Sequence, residues 1–231
     1  MYKLETHLHV LGTSPCAMTD EKTIAGIYKD KGYDGIIYCS HYNSFLLGYY
    51  GMTAREYNAN FVAHYEKLKE ECAKVGVDVF FGMEFMPDCT SYYNAATPDK
   101  AEFQIFGITP EFVINGGEKL FPLSVKDVSE LCKEKGWMFS QTHPFRNMIT
   151  YRNGALLEAC EAFNGHIGHS NGNDLAAKWC EENGLIPLSG SDFHEPHQAT
   201  CGVLLENAVK NSDELLAELR KRRHTLIKVG N

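Results

Sequence analysis

Strand-like and helix-like segments alternate along almost the whole chain, and that order constrains the fold more than any other feature. Residues 2–10 read as a strand. Thr19, Asp20 and Glu21 then open a helix that runs to about Lys31 and stops at Gly32. "GIIYCS" (35–40) is a short apolar, β-branched run and reads as a buried strand. "TARE" (53–56) is a capping box at the head of a long helix with Phe61, Tyr65, Leu68 and Cys72 on one stripe and Gly76 as its stop. Strands follow at 77–85, 103–108 and 137–143, the last after a helix capped by Ser124 that ends at Gly136. Further strands at 156–164 and 185–192 flank a helix over about 173–183. A strand near 202–208, a helix from Ser212 to about Arg223 and "TLIKV" (225–229) close the chain. Repeated β-α units of this spacing specify a parallel sheet with helices outside it. So many strands in 231 residues favour a closed barrel over a doubly wound open sheet, and no G-x-G-x-x-G follows the first strand. No repeat or linker divides the chain, so residues 1–231 read as one α/β domain.

The histidines gather where these strands end. His7 and His9 sit two apart near the end of the first, and residues i and i+2 of a strand share a face. His41 follows "GIIYCS", Glu84 is near the end of "VFFGMEF", His143 ends "WMFSQTH", and Asp192 and His194 follow "LIPLSGS". Ligand-type residues thus collect at the carboxyl ends of five strands, the face on which parallel α/β barrels build active sites. Imidazole and carboxylate are costly to bury unpaired, and one shared rim calls for a shared cationic partner. The nitrogen and oxygen donors suit Zn²⁺, Mn²⁺ or Fe. Seven candidates exceed the needs of one four-coordinate ion, so two or three ions are expected, with Glu84 bridging. His64, on the long helix, and His224, in the basic tail, read as structural, and His166 and His169 as residues of the glycine-rich loop "NGHIGHSNGN".

Composition narrows the partners. A net charge of −8 offers no general basic face for nucleic acid or an anionic membrane. No apolar run is long enough to span a bilayer, and the first residues lack the basic-then-apolar pattern of a signal peptide. Eight scattered cysteines without a C-x-x-C pair, several inside helices, indicate a reducing, cytoplasmic protein without a disulfide framework.

Five motifs in order carry a resemblance: "HLH" (7–9), "GYDGIIYCSH" (32–41), "GME" (82–84), "THPFR" (142–146) and "GSDFH" (190–194). Together they resemble the PHP family, named for polymerase and histidinol phosphatase. The resemblance implies a distorted (β/α)7 TIM-like barrel that holds up to three metals and hydrolyses phosphoesters. It assigns ligand roles to His7, His9, His41, Glu84, His143, Asp192 and His194, with Glu84 bridging two ions. The sequence departs from the family pattern at three places. Ser40 replaces the usual Asp before His41. The loop after H-x-H offers Ser14 or Cys16 where many members have Asp, and Cys16 reads either as a thiolate ligand or as a packed thiol. The histidine that many members place before a fourth strand is missing, with Glu102 of "AEFQIFG" the nearest replacement.

The expected reaction is attack on a small phosphorylated metabolite by a metal-bridging hydroxide. Glu84 and Asp192 carry the chemistry, and Arg146 forks onto phosphate oxygens. Arg152 reads either as a second cation for the phosphate or as a plain surface residue, and His197 as a solvated loop residue or else as an alternative to Asp192 as proton donor to the leaving oxygen. The aromatic runs at 41–52 and 91–97 form a lid or substrate wall, or else pack on the rim. Two other readings keep the barrel: an amidohydrolase-like metal hydrolase, disfavoured by the lack of a strand-end lysine, and a degenerate member that binds metal or phosphate without turnover.

Overall fold

The structure is a computed structural model that describes residues 1–228, so Val229 of the closing segment lies outside the described residues. Among the described residues, ten strands form one nearly closed sheet. β1 (Tyr2–Leu8), β2 (Gly35–Tyr38) and β4 (Asp78–Phe85) are parallel neighbours, as are β6 (Met138–Gln141), β7 (Ala159–Asn164) and β8 (Ile186–Gly190). The two-residue β3 (His41–Tyr42) pairs with the end of β4. Closure comes from a parallel bridge between Leu8 and Phe193, with Phe193 N donating to His7 O and His9 N to Phe193 O. Thr6 Oγ1 donates to Ser189 O across the same seam. The result is the expected distorted TIM-like α/β barrel.

The sheet is not parallel throughout. β5 (Phe103–Phe106) runs antiparallel to both β4 and β6, β9 (Gly202–Leu205) pairs antiparallel with β1, and β10 (Thr225–Ile227) pairs antiparallel with β9 at the edge. The cause lies in the connection. Residues 86–102 contain no α-helix, so the chain turns back at the mouth instead of crossing over the outside, and β5 starts where β4 ends.

The helices begin and end where their side chains dictate. In α1 (Glu21–Asp30), Asp20 accepts from Thr23 N, so the cap falls one residue later than Thr19. The capping boxes Thr53/Glu56 and Ser124/Asp127 start α3 (Ala54–Val75) and α5 (Val125–Lys135), which stop at left-handed Gly76 and Gly136. α6 (Asn173–Glu182) and α7 (Ser212–Arg220) follow as expected, while α2 (Phe45–Tyr50) and α4 (Pro110–Ile114) are short additions. Cys72, Cys132 and Cys180 are buried on α3, α5 and α6 and pack as small apolar residues. No helix among the described residues is long and apolar enough to cross a membrane.

Two apolar clusters hold the layers together. One fills the space between sheet and helices, with Tyr38, Phe61, Leu68 and Phe81 among its buried members. The other takes about one side chain per strand (Leu4, Ile37, Phe80, Phe106, Met138, Ala159, Ile186) and is stopped by Leu215, Leu216 and Leu219 of α7. Because side chains alternate with period two, the strand faces that carry this inner layer continue to the opposite end of the barrel.

Candidate metal centre

That continuation builds the site. Phe80 leads through Gly82 to Glu84, Ile37 through Cys39 to His41, Ala159 to Glu161, and Leu188 through Gly190 to Asp192. On the reversed β5, Phe106 leads back through Gln104 to Glu102, which puts Glu102 at the same mouth as the carboxyl ends of its neighbours. Leu4 and His7 are three apart and cannot share a face of a regular strand. A register irregularity between Glu5 and Leu8 turns His7 and His9 inward. His143 and Asp192 are reached by local backbone strain, with φ of 25° and 51° in the left-handed region that favours glycine.

His7, His9, Glu84, His143 and Asp192 are all nearly inaccessible to solvent, and the His41 and His194 rings are partly exposed. His7 Nε2 lies 3.0 Å from His9 Nε2 and 3.4 Å from both Glu84 Oε1 and Asp192 Oδ1. His41 Nδ1 is 2.7 Å from Glu84 Oε2 and 3.4 Å from Glu102 Oε1, and His143 Nε2 is 3.1 Å from Glu84 Oε1. Three overlapping groups could each hold an ion: His7, His9 and Glu84; His41, Glu84 and Glu102; and His9, His41 and His194. Within each group the ligand atoms all lie within 4.8 Å of one another. Glu84 belongs to two of the groups.

The donors fit a divalent cation by a direct test. His41 Nδ1 and Glu84 Oε2 are buried and 2.7 Å apart, yet neither makes a hydrogen bond. A buried imidazole nitrogen and a buried carboxylate oxygen that face one point without a hydrogen bond are a costly arrangement that a shared cation satisfies.

The charge pattern agrees. Burial opposes charge on His7, but the carboxylates of Asp192, Glu161 and Glu84 outweigh it and hold the imidazole well above its usual range. His9 is pushed well below, first by burial and then by repulsion from His194 and His41. Despite burial, His7 and His41 keep Glu84 ionised, and His7 and Arg146 do so for Asp192. Glu102 is pushed up by burial and by the neighbouring Glu84. Burial would raise the Cys16 thiol, but His41 and His194 draw it down to about 6.

The structure also shows supports that sequence reasoning passed over. Glu161 is fully buried, accepts from His7 Nδ1 at 2.8 Å, and takes two further bonds on Oε2 from His143 N and Asn164 Nδ2. A carboxylate can only accept here, so Nδ1 of His7 carries the proton and Nε2 is left to face the mouth. The acid at the centre of the otherwise apolar stretch "ACEAF" (159–163) was the available signal. Glu5, two residues before His7, accepts from His7 N, Ser191 N and Tyr28 OH, while burial pushes it up to about 7. His194 Nδ1 donates to the Asp192 carbonyl at 2.8 Å, which fixes its tautomer in the same way.

The departures from the family pattern have structural explanations. Ser40 Oγ accepts from Val10 N and Thr13 Oγ1, so it ties down the loop after β1. His41 is held instead by Ser14, whose Oγ accepts from His41 N and lies 3.0 Å from His9 Nδ1. Glu102 stands in the candidate cluster and is held by Tyr92 OH at 2.8 Å. Arg146 Nη2 contacts Asp192 Oδ2 and Asn164, its Nε bonds Asn171, and the residue still lines the cleft over the cluster.

Other candidates fall outside. Arg152 bonds the carbonyls of Pro144 and Ile149 and stacks on Phe145. His197 is exposed beside Glu195, His64 pairs with Glu21, and His224 bonds Pro187 O. His166 and His169, read as plain loop residues, line the cleft, which has a volume of about 520 Å³. Of the aromatic runs, 91–97 supplies Tyr92 and Tyr93 to the cleft wall, and Phe45 of α2 stacks on Tyr93 with centroids 3.7 Å apart.

A barrel whose mouth gathers imidazoles and carboxylates in overlapping ion-sized groups defines a class, the metal-binding α/β barrels. Within that class the fold is similar to that of a two-domain protein of Bacteroides vulgatus containing a predicted PHP-like metal-dependent phosphoesterase. The TM-score is 0.70 at 16% identity, over 98% of this chain and 64% of that one. A Bifidobacterium adolescentis protein provisionally described as a metal-dependent phosphoesterase matches with a TM-score of 0.55 at 12% identity, over 95% of this chain and 96% of that one. The chain thus spans less than two thirds of the first of these proteins. No family model and no curated protein sequence matches the chain.

Proposed function

We propose that the chain, over residues 1–231, is a metal-dependent phosphoesterase that hydrolyses a small phosphorylated metabolite. The observation that supports this most is the convergence of His7, His9, His41, Glu84, Glu102 and His194 into three overlapping ion-sized groups around a carboxylate common to two of them. Two or three divalent ions (Zn²⁺, Mn²⁺ or Fe) held there would activate a water and neutralise charge on a phosphoryl group.

The chain's own residues do the rest. Glu84 belongs to two of the groups and would serve as a ligand in both. Asp192, kept ionised by His7 and Arg146, serves as a ligand and as acceptor of a proton from water. Arg146 fixes Asp192 and, from the cleft wall, presents its remaining N–H groups to phosphate oxygens. A cleft of about 520 Å³ suits a small molecule rather than a polymer. No lysine lines it among the described residues, which favours phosphoester over amidohydrolase-type chemistry. The cysteine pattern fits a reducing cytoplasm.

Purified chain loaded with Mn²⁺ or Zn²⁺ should turn over small phosphomonoesters and leave short oligonucleotides intact. His9→Ala should lower both ion content and rate. Ions bound at full occupancy with no turnover of any phosphoester would point instead to a binding protein that has lost catalysis.

A further inference from the structure

The loop after β7 carries two histidines that belong to none of the ion-sized groups, although both line the cleft over them. The His166 ring lies edge-on to that of His194, with centroids 5.4 Å apart, and the more exposed His169 ring is 4.8 Å away on the same loop.

What separates His166 from the ligand candidates is where its proton sits. His7 and His194 each donate from Nδ1, to Glu161 and to the Asp192 carbonyl, so their Nε2 lone pairs are free for a cation. His166 is wired the other way. Gly168 N donates to its Nδ1 at 3.0 Å, and only an unprotonated nitrogen accepts, so the ring is neutral and its proton is on Nε2. A nitrogen that bears a proton does not bind a cation but can donate to an anion. No group among the described residues accepts from this Nε2. Gly168 permits the close approach, since a β-carbon there would lie 2.9 Å from His166 Cε1.

The donor is held in place together with Arg146. Asn164 Oδ1 accepts from His166 N and from Arg146 Nη2, both at 3.0 Å. Asn171 repeats the clamp further along the loop: its Nδ2 donates to the His166 carbonyl at 2.9 Å, and its Oδ1 accepts from Arg146 Nε. A neutral N–H and a guanidinium fixed by the same two amides, in the wall of one cleft, suit the oxygens of an anion.

We propose that His166 is a substrate-binding residue whose Nε2–H, with the unused N–H groups of Arg146, grips phosphoryl oxygens of the substrate. The inference rests on the phosphoesterase reading and adds to it a donor that takes no part in holding ions.

The test uses the full chain loaded with Zn²⁺, with inorganic phosphate as the probe. Nitrogen NMR of the histidine rings should show the His166 proton on Nε2, and that nitrogen should shift as phosphate saturates. His166→Ala should weaken phosphate binding about 10-fold in calorimetry and lower kcat/KM for phosphomonoesters about 100-fold, with zinc content and circular dichroism unchanged. His166→Gln, whose amide N–H reaches the place of Nε2, should keep most of both. A proton on Nδ1, zinc lost from His166→Ala, phosphate bound equally by the native chain and His166→Ala, or a His166→Gln variant no better than His166→Ala overturns the assignment and leaves the phosphoesterase reading standing. A zinc-loaded native chain without affinity for phosphate overturns both.

Discussion

Gly190 and Glu161 decide, at the residue scale, whether the strand ends can meet. A β-carbon added at Gly190 would lie 2.4 Å from His7 Cβ and 2.9 Å from Glu161 Oε1, so only glycine lets β1 and β8 approach at the seam. Gly190→Ala should destabilise the apo protein by about 1–3 kcal/mol, the usual cost of overpacking, and denaturant unfolding would measure it. An unchanged midpoint would mean that the seam yields freely. Glu161→Gln tests the hold on His7. A glutamine amide cannot accept all three bonds that Glu161 takes, so metal affinity should fall about 10- to 100-fold with the fold intact. Titration against a chelating dye would show it, and wild-type affinity in this variant would reduce Glu161 to packing.

At the scale of elements, α1 and α3 are clamped by a buried acid. Glu21 Oε2 is 2.8 Å from Lys67 Nζ, and Oε1 contacts His64 Nδ1. Burial pushes Glu21 up, but the bonds from His64 and Lys67 prevail and bring it down to about 2. Its folded value therefore lies below the unfolded value near 4.5, so the clamp stabilises fully above the unfolded value and is lost as pH falls toward 2. Thermal melts of the native chain and Glu21→Gln should differ most near neutral pH and converge in acid. A gap that stays constant with pH would refute the clamp. This pair shows where sequence reading runs out. His64 and Glu21 each sat on a correctly placed helix, yet nothing in a single sequence indicates which faces of two helices will meet. The reversal of β5 is a similar case: its apolar pattern has the same period in either direction, so only the return of residues 86–102 across the mouth fixed it.

For the whole molecule, the site is a concentration of buried charge that the barrel pays for. Glu84, Glu102, Glu161 and Asp192 are buried among imidazoles, and cations that bind only the folded chain would stabilise it by mass action. Chelation should lower the melting temperature, and added Zn²⁺ or Mn²⁺ should raise it in proportion to the logarithm of the free ion. A melting temperature indifferent to metal would contradict the centre. What the sequence determined by itself was local: element types from periodicity, helix ends from caps and glycines, and the candidate donors from their positions at strand ends, since these depend on neighbours a few residues away. Tertiary structure alone decided the rest. It turned His7 and His9 inward through an irregularity in β1, brought Glu102 to the mouth on a reversed strand, gave Glu161 its hold on His7 and set Cys16 against His41, because each of these contacts joins residues distant in sequence whose meeting depends on how the sheet closes.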